Sequence, residues 1–481
     1  MSGAADGFDA VVVGSGPNGL VAAVTMAEAG RRVLLVEAAD RTGGGLRTEE
    51  LTLPGFRHDV CATVLPLTLA SPAFRRLQPD GVCWDHPAVP AAHPLDGRPA
   101  VLVHRDLDRT AEGLGPDARA WRATVGGAVR GGTRLVDTLL APLDLPRAPL
   151  AAARFGALGL PPATTLARTA FRTDAARAAF AGMAAHSMLD LHSPVTAGYG
   201  LLLAALAHQV GWPVIRGGSG QLADALVARL LQLGGEVVTG QPVRDLAELP
   251  AAASILLDLT PRQVVAVAGD RLPAAYRRRL ERFRYGPGVF KLDWALSGPV
   301  PWQDPAVGGA ATVHLGGTLE EIAAGERDVA RGRHPERPYV LLVQPCVADP
   351  TRAPAGSHTL WAYCHVPNGS TVDMTGAIEA QIERFAPGFG DLVLARHAMG
   401  PAALEAHNAN LIGGDIGGGA ASLGQFFKRP VYSARPWRTP VPGLYLCSAS
   451  TPPGAGVHGM GGWQAARLAL RSAPARAAVP E

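Results

Sequence analysis

The chain has 481 residues, 47 % of them apolar and 18 % charged, with a formal net charge of +3. That length is enough for two or three cores, and so small a charge excludes the basic footprint of a nucleic-acid-binding protein. Five scattered cysteines, an odd number with no C-x-x-C or C-x-x-x-x-C pair, suit a reducing cytoplasm and exclude a dithiol reductase. The histidines show neither an H-E-x-x-H run nor clustered ligand spacing, so no metal site is expected. No apolar run reaches the roughly 18 residues of a membrane span, and no signal peptide fits before the first strand. A cytoplasmic protein is expected, with a peripheral membrane contact left open.

The first predicted strand covers residues 10–13 and runs into Gly14-Ser15-Gly16-Pro17-Asn18-Gly19, then a helix of small residues, then a second strand ending at Glu37. Each glycine has its own task. Gly14 allows the tight turn, Gly16 lets the backbone approach a pyrophosphate, and Gly19 lets the helix pack on the strand. Pro17 and Asn18 open the helix, whose free N–H groups and partial positive charge face the phosphates. Glu37 stands where a carboxylate accepts the ribose hydroxyls of an adenosine. A second glycine cluster follows at once, Gly43-Gly44-Gly45-Leu46-Arg47. A nicotinamide enzyme has no need of it. The longer FAD does, and Arg47 can meet a phosphate charge, so FAD is the cofactor expected. His58 and Asp59, just beyond, are expected to pin this loop.

Residues 107–212 read mainly as helix, with a periodic stretch over 196–209. A helix over 219–233 follows, then strands at 236–239 and 254–259. The run Gly218-Ser219-Gly220 has the spacing of another nucleotide loop, but no apolar strand precedes it and no acid ends the strand after it. It reads as a helix start inside the FAD-binding domain. Val243, past that strand, is included among the cofactor contacts. Strand-like segments recur at 288–296, 311–315, 339–343 and 358–364, with a helix over 374–385. Lys291, one of only two lysines, lies on the first of these. It is the leading candidate for a catalytic group, against a strand residue paired with Asp293. His186, His192 and His208 fall in helical context and read as packed or solvated. The glycine run 413–419 would let a ligand approach the backbone, with Gln425 as a group able to reach the substrate or flavin edge.

The chain closes on Gly443-Leu444-Tyr445-Leu446-Cys447, then Thr451-Pro452-Pro453-Gly454-Ala455-Gly456-Val457-His458-Gly459-Met460. With the amino-terminal motif, this stretch resembles the FAD-dependent carotenoid (phytoene) desaturases and flavin amine oxidases, in which a strand, a Pro-Gly turn and a helix start hold the flavin ring. The resemblance implies flavin contacts at Gly454, Gly456, Val457, His458, Gly459 and Met460. A helix starting there stabilises the negative charge of reduced flavin by up to about 2 kcal/mol, roughly 40 mV for a two-electron couple. His458 is a candidate proton carrier beside the ring, with a purely structural hydrogen bond as the alternative.

The expected fold is α/β: a Rossmann-type, glutathione-reductase-like FAD-binding domain interwoven with an α+β substrate domain. FAD-binding pieces are expected at 1–90, 216–285 and 426–481, a helical substrate piece at 91–215, and a substrate sheet at 286–425. The favoured activity is a desaturase-like oxidation of a largely apolar small molecule by hydride transfer to flavin N5, with O2, a quinone or another electron acceptor. An amine oxidase using O2 ranks second and a redox-neutral alkene isomerase third. Flavin-free proteins of this architecture that bind prenylated GTPases are disfavoured by the intact glycines and Glu37. The oligomeric state is left open.

Overall fold

The computed structural model describes residues 7–142 and 148–472; the outermost ends of the first and last expected pieces, and a short part of the helical one, lie outside them. Two sheets organise the molecule. The first is five-stranded and parallel throughout, in the order Leu444–Leu446, Ala252–Leu257, Phe8–Val13, Val33–Val36, Glu236–Val238. Its central strands are apolar on both sides, as a parallel sheet covered by helices requires. One face packs on helices Pro17–Glu28, Gly220–Gln232 and Met460–Ser472. The other packs on Pro261–Ala268 and Ala274–Glu281. Gly462 lets the last helix lie directly on the first, since a Cβ there would stand 1.8 Å from the Asn18 carbonyl oxygen.

The second sheet has seven strands in the order Val393–Met399, Gly288–Leu296, His358–Val366, Val340–Val343, Ala310–Leu315, Val89–Leu95, Arg98–Val103. All its pairs are antiparallel except Ala310–Leu315 with Val89–Leu95. Residues alternate between two cores, as the strand period of two dictates. Leu360, Ala362 and Cys364 face helix Thr375–Phe385. Leu341, Val343 and Trp361 face a helical layer that includes Asp174–Ala185 and Thr196–Gln209.

The sequence reading misses three strands of this sheet. Val89–Leu95 holds two prolines, which argue against a strand. Its turn, Asp96-Gly97, is nonetheless a hairpin signal, with Gly97 at φ 63° and Leu95 paired to Arg98. Val393–Met399 lies at the other edge of the sheet, with Leu394 exposed.

Candidate active site

The glycine loop leaves the carboxyl end of the central parallel strand, where open α/β sheets bind ligands. Gly14 has φ 94°, a conformation that favours glycine. A Cβ on Gly19 would lie 2.0 Å from the Gly14 carbonyl oxygen, and one on Gly44 would lie 2.9 Å from the Gly16 Cα. The two glycine clusters are therefore pressed together. Behind them, Glu37 accepts hydrogen bonds from the Ser15 amide (2.8 Å), the Ser15 hydroxyl (2.5 Å) and the Ala39 amide (2.9 Å). Arg47 comes within 3.7 Å of Glu37, donates to the carbonyls of His407 and Arg41, and its buried Nε has no partner among the described residues. Cradle, acid and orphaned guanidinium nitrogen fit a bound dinucleotide phosphate.

His58 and Asp59 are fully buried. The Asp59 carboxylate accepts from Thr48 Oγ1 (2.7 Å), the Ser219 amide (2.9 Å) and Arg352 Nη2 (2.6 Å). Arg352 and the hydrogen bonds hold its carboxyl below the usual range, against burial. The start of helix Gly220–Gln232 thus already faces a carboxylate of this chain, which accounts for the second glycine run without a second nucleotide.

A cavity of about 330 Å³ opens from the loop. Gly16, Pro17, Asn18 and Gly45 form one end of its wall, with Gly456 and Val457 of the last turn. The other end is a chamber of Leu203, Trp212, Leu341, Val343 and Trp361, against the sheet face that carries the helical layer. The buried run 413–419 contributes Gly417 and Gly418 to the wall. Asp415 accepts from the amides of Gly286, Gly417 and Gly419, each at 2.7 Å, and buried Arg429 donates to the carbonyls of Gly417 and Gly419.

The remaining predicted residues lie off this wall. Val243 packs beside Val11 and Leu34 in the core behind the sheet. Gly454 sits against the Arg429 guanidinium, Gly459 against Val21 and Phe74, and Met460 opens the last helix inside the first core. His458 accepts from the Met460 amide at Nδ1 and meets the Gly454 carbonyl at Nε2, both at 3.1 Å. Those partners set the Nε2–H tautomer, and burial pushes its pKa down to about 4. Gln425 bonds the backbone of Arg284 and Ala420, stapling one loop to another. Lys291 is buried with Nζ 2.5 Å from both Asp293 oxygens and 5.2 Å from the centre of the Trp361 ring, one aromatic layer behind the cavity.

Several wall residues carry no sequence motif. Asp258 follows strand Ala252–Leu257, lines the cavity and accepts from the Gly19 amide at 2.9 Å. Burial, reinforced by Glu37, raises its pKa to about 7. Its position beyond a parallel strand adjacent to the first is the signal that would have found it. His186, read as packed or solvated, reaches the chamber wall, whereas His208 is buried against Trp121 and His192 pairs with Asp190.

Residues 12–78 match the model of the NAD(P)-binding Rossmann-like domain. Over 96 % of this chain and 93 % of the relative, the sequence is 27 % identical to the rat (Rattus norvegicus) pyridine nucleotide-disulfide oxidoreductase domain-containing protein 2. It is 26 % identical to the neurosporene-forming phytoene desaturase of Rhodobacter capsulatus over 53 % of each chain. The solved cyclohexylamine oxidase of Brevibacterium oxydans shares the fold at a TM-score of 0.57 and 16 % identity, over 97 % of this chain and 99 % of that one. The likeness to desaturases and flavin amine oxidases read in the two motifs is thus met in sequence and in fold. Fold and site define a dinucleotide-binding flavoenzyme, an oxidoreductase.

Proposed function

We propose that the protein is an FAD-dependent oxidoreductase of the phytoene-desaturase-like kind, acting on a small, largely apolar substrate. The observation that carries this reading is the single cavity joining the glycine cradle, the last turn and an apolar chamber. FAD, when bound, supplies a two-electron acceptor at flavin N5 for a hydride from the substrate. Gly16, Gly19 and the start of helix Pro17–Glu28 hold the pyrophosphate, Glu37 the ribose, and Arg47 a phosphate oxygen. The chamber walls exclude water from the bond being oxidised and orient it by shape.

An amine oxidase using O2 is the second reading, favoured by Lys291 beneath Trp361. Its weakness is that Lys291 and Asp293 already neutralise each other behind the Trp361 ring, off the cavity wall. The final electron acceptor, O2 or a quinone, is distinguished by reoxidation kinetics.

The test is purification followed by anaerobic mixing with candidate substrates. A yellow protein with a band near ~450 nm that bleaches with an apolar substrate is expected, and denaturation should release free FAD. Recovery of NAD, or of a colourless fold that FAD cannot reconstitute, sinks the reading.

A further inference from the structure

The chamber is apolar in its bulk, yet its wall carries polar groups that the cofactor does not use. Thr312 is 1 % exposed, lines the cavity and has no hydrogen-bond partner for its hydroxyl among the described residues. A buried donor left unmatched is costly, so such groups ordinarily meet a ligand or a water. Two residues along the same strand and on the same face, His314 places Nε2 3.0 Å from Nε2 of His186, itself part of the wall. Burial lowers both imidazoles, His186 to about 3, so the pair is neutral near pH 7. One ring donates to the other, and exchanging tautomers converts His186 Nδ1 between donor and acceptor. Tyr363, also on the wall, is kept as a neutral phenol by burial.

Nearby carboxylates already have partners. Glu326 receives His365 Nδ1 at 2.8 and 2.9 Å, and Asp293 receives Lys291. Among the described residues the acid on the wall is Asp258, which belongs to the opposite, cofactor end. A cationic amine entering the chamber meets no free carboxylate there among the described residues, and a bare hydrocarbon leaves the Thr312 hydroxyl unmatched.

We propose that the chamber recognises a neutral oxygen, the hydroxyl or carbonyl of an otherwise apolar molecule, through Thr312 and the His186–His314 pair. The proposal rests on reading this chamber as the substrate end of an FAD site.

The experiment uses the FAD-loaded protein under anaerobic conditions and four probes on one ten-carbon skeleton: p-menthane, menthol, menthone and menthylamine. Binding is read from the change in flavin absorbance and by calorimetry. Menthol or menthone should bind about tenfold tighter than menthane and menthylamine, the effect of one or two neutral hydrogen bonds. Thr312→Val, matched in shape, should shrink that preference to about threefold or less and leave menthane affinity unchanged. Because the hydroxyl has no partner among the described residues, Thr312→Val should melt no lower than the parent. Tighter binding of menthane or menthylamine, an unaltered preference in Thr312→Val, or binding by none of the four overturns the proposal while the flavin spectrum leaves the FAD reading intact. A protein that takes up no FAD overturns that reading instead.

Discussion

The two ends of the cavity are built by different means. At the dinucleotide end the wall is backbone: glycines too close to their neighbours for a Cβ, with Glu37 and Arg47 held behind them. At the chamber end the wall is side chains from distant elements, with Trp212 before the second glycine-led helix, Leu341 and Trp361 from the sheet, and His186 at the end of a helix. A backbone wall fixes what it binds by geometry alone. A side-chain wall changes specificity with single substitutions and leaves the fold in place, so the first end is where change should be catastrophic and the second where it should be selective.

The largest effect that tests this division concerns Lys291, packed behind Trp361 of the chamber wall. Removing one partner of a buried ion pair leaves an uncompensated charge and costs about 3–5 kcal/mol, so Lys291→Met should be strongly destabilised in denaturant unfolding. Lys291→Met combined with Asp293→Asn should recover most of that loss. The double variant then isolates chemistry. An amine oxidase should lose roughly 10²–10⁴-fold in flavin reduction or reoxidation, the span of a positioned proton-transfer group, whereas a desaturase should stay within about twofold.

Next comes the cradle. Gly19→Ala drives a Cβ into the Gly14 carbonyl, and overpacking of this kind costs about 3 kcal/mol, which is roughly a hundredfold in FAD affinity by fluorescence titration. Glu37→Ala should cost about 1.5–3 kcal/mol of binding, the range for a hydrogen bond to a charged group. If both variants hold FAD as the parent does, the cofactor lies elsewhere.

Asp258 adds a pH dependence. Its carboxyl is raised from 3.8 to about 7, chiefly by burial, so between those values the folded chain keeps a proton that the unfolded chain has lost. Its contribution is fully present below about pH 4 and is lost as pH rises through 7. Relative to the parent, Asp258→Asn should therefore gain in melting temperature between pH 5 and pH 8 in the FAD-free protein. Parallel curves for the two would show that Asp258 stays ionised in the fold.

The smallest effect is a control. Gly156, inside helix Pro149–Gly159, has nothing within 4 Å of a built Cβ. Gly156→Ala should stabilise by about 0.5–1 kcal/mol and leave FAD binding unchanged.

The sequence by itself determined the dinucleotide end. Gly14, Gly16, Gly19 and Glu37 are close in the chain because one strand-turn-helix-strand unit builds the site, so a short pattern carries its geometry. It also marked helix Thr196–Gln209 and strand Gly288–Leu296 at the bounds observed, because the first is a run rich in the strong helix formers Ala and Leu and the second alternates large apolar residues at Phe290, Leu292, Trp294 and Leu296. Only the tertiary structure decided which side chains share a wall. Thr312, His186 and Asp258 lie far apart in sequence, and each looks ordinary among its neighbours. Lys291 and His458 stood out by rarity and by motif, yet burial gave one an ion-pair partner and the other two backbone partners. The physical reason is that local pattern fixes backbone path, whereas the meeting of side chains depends on how two sheets and their helices pack.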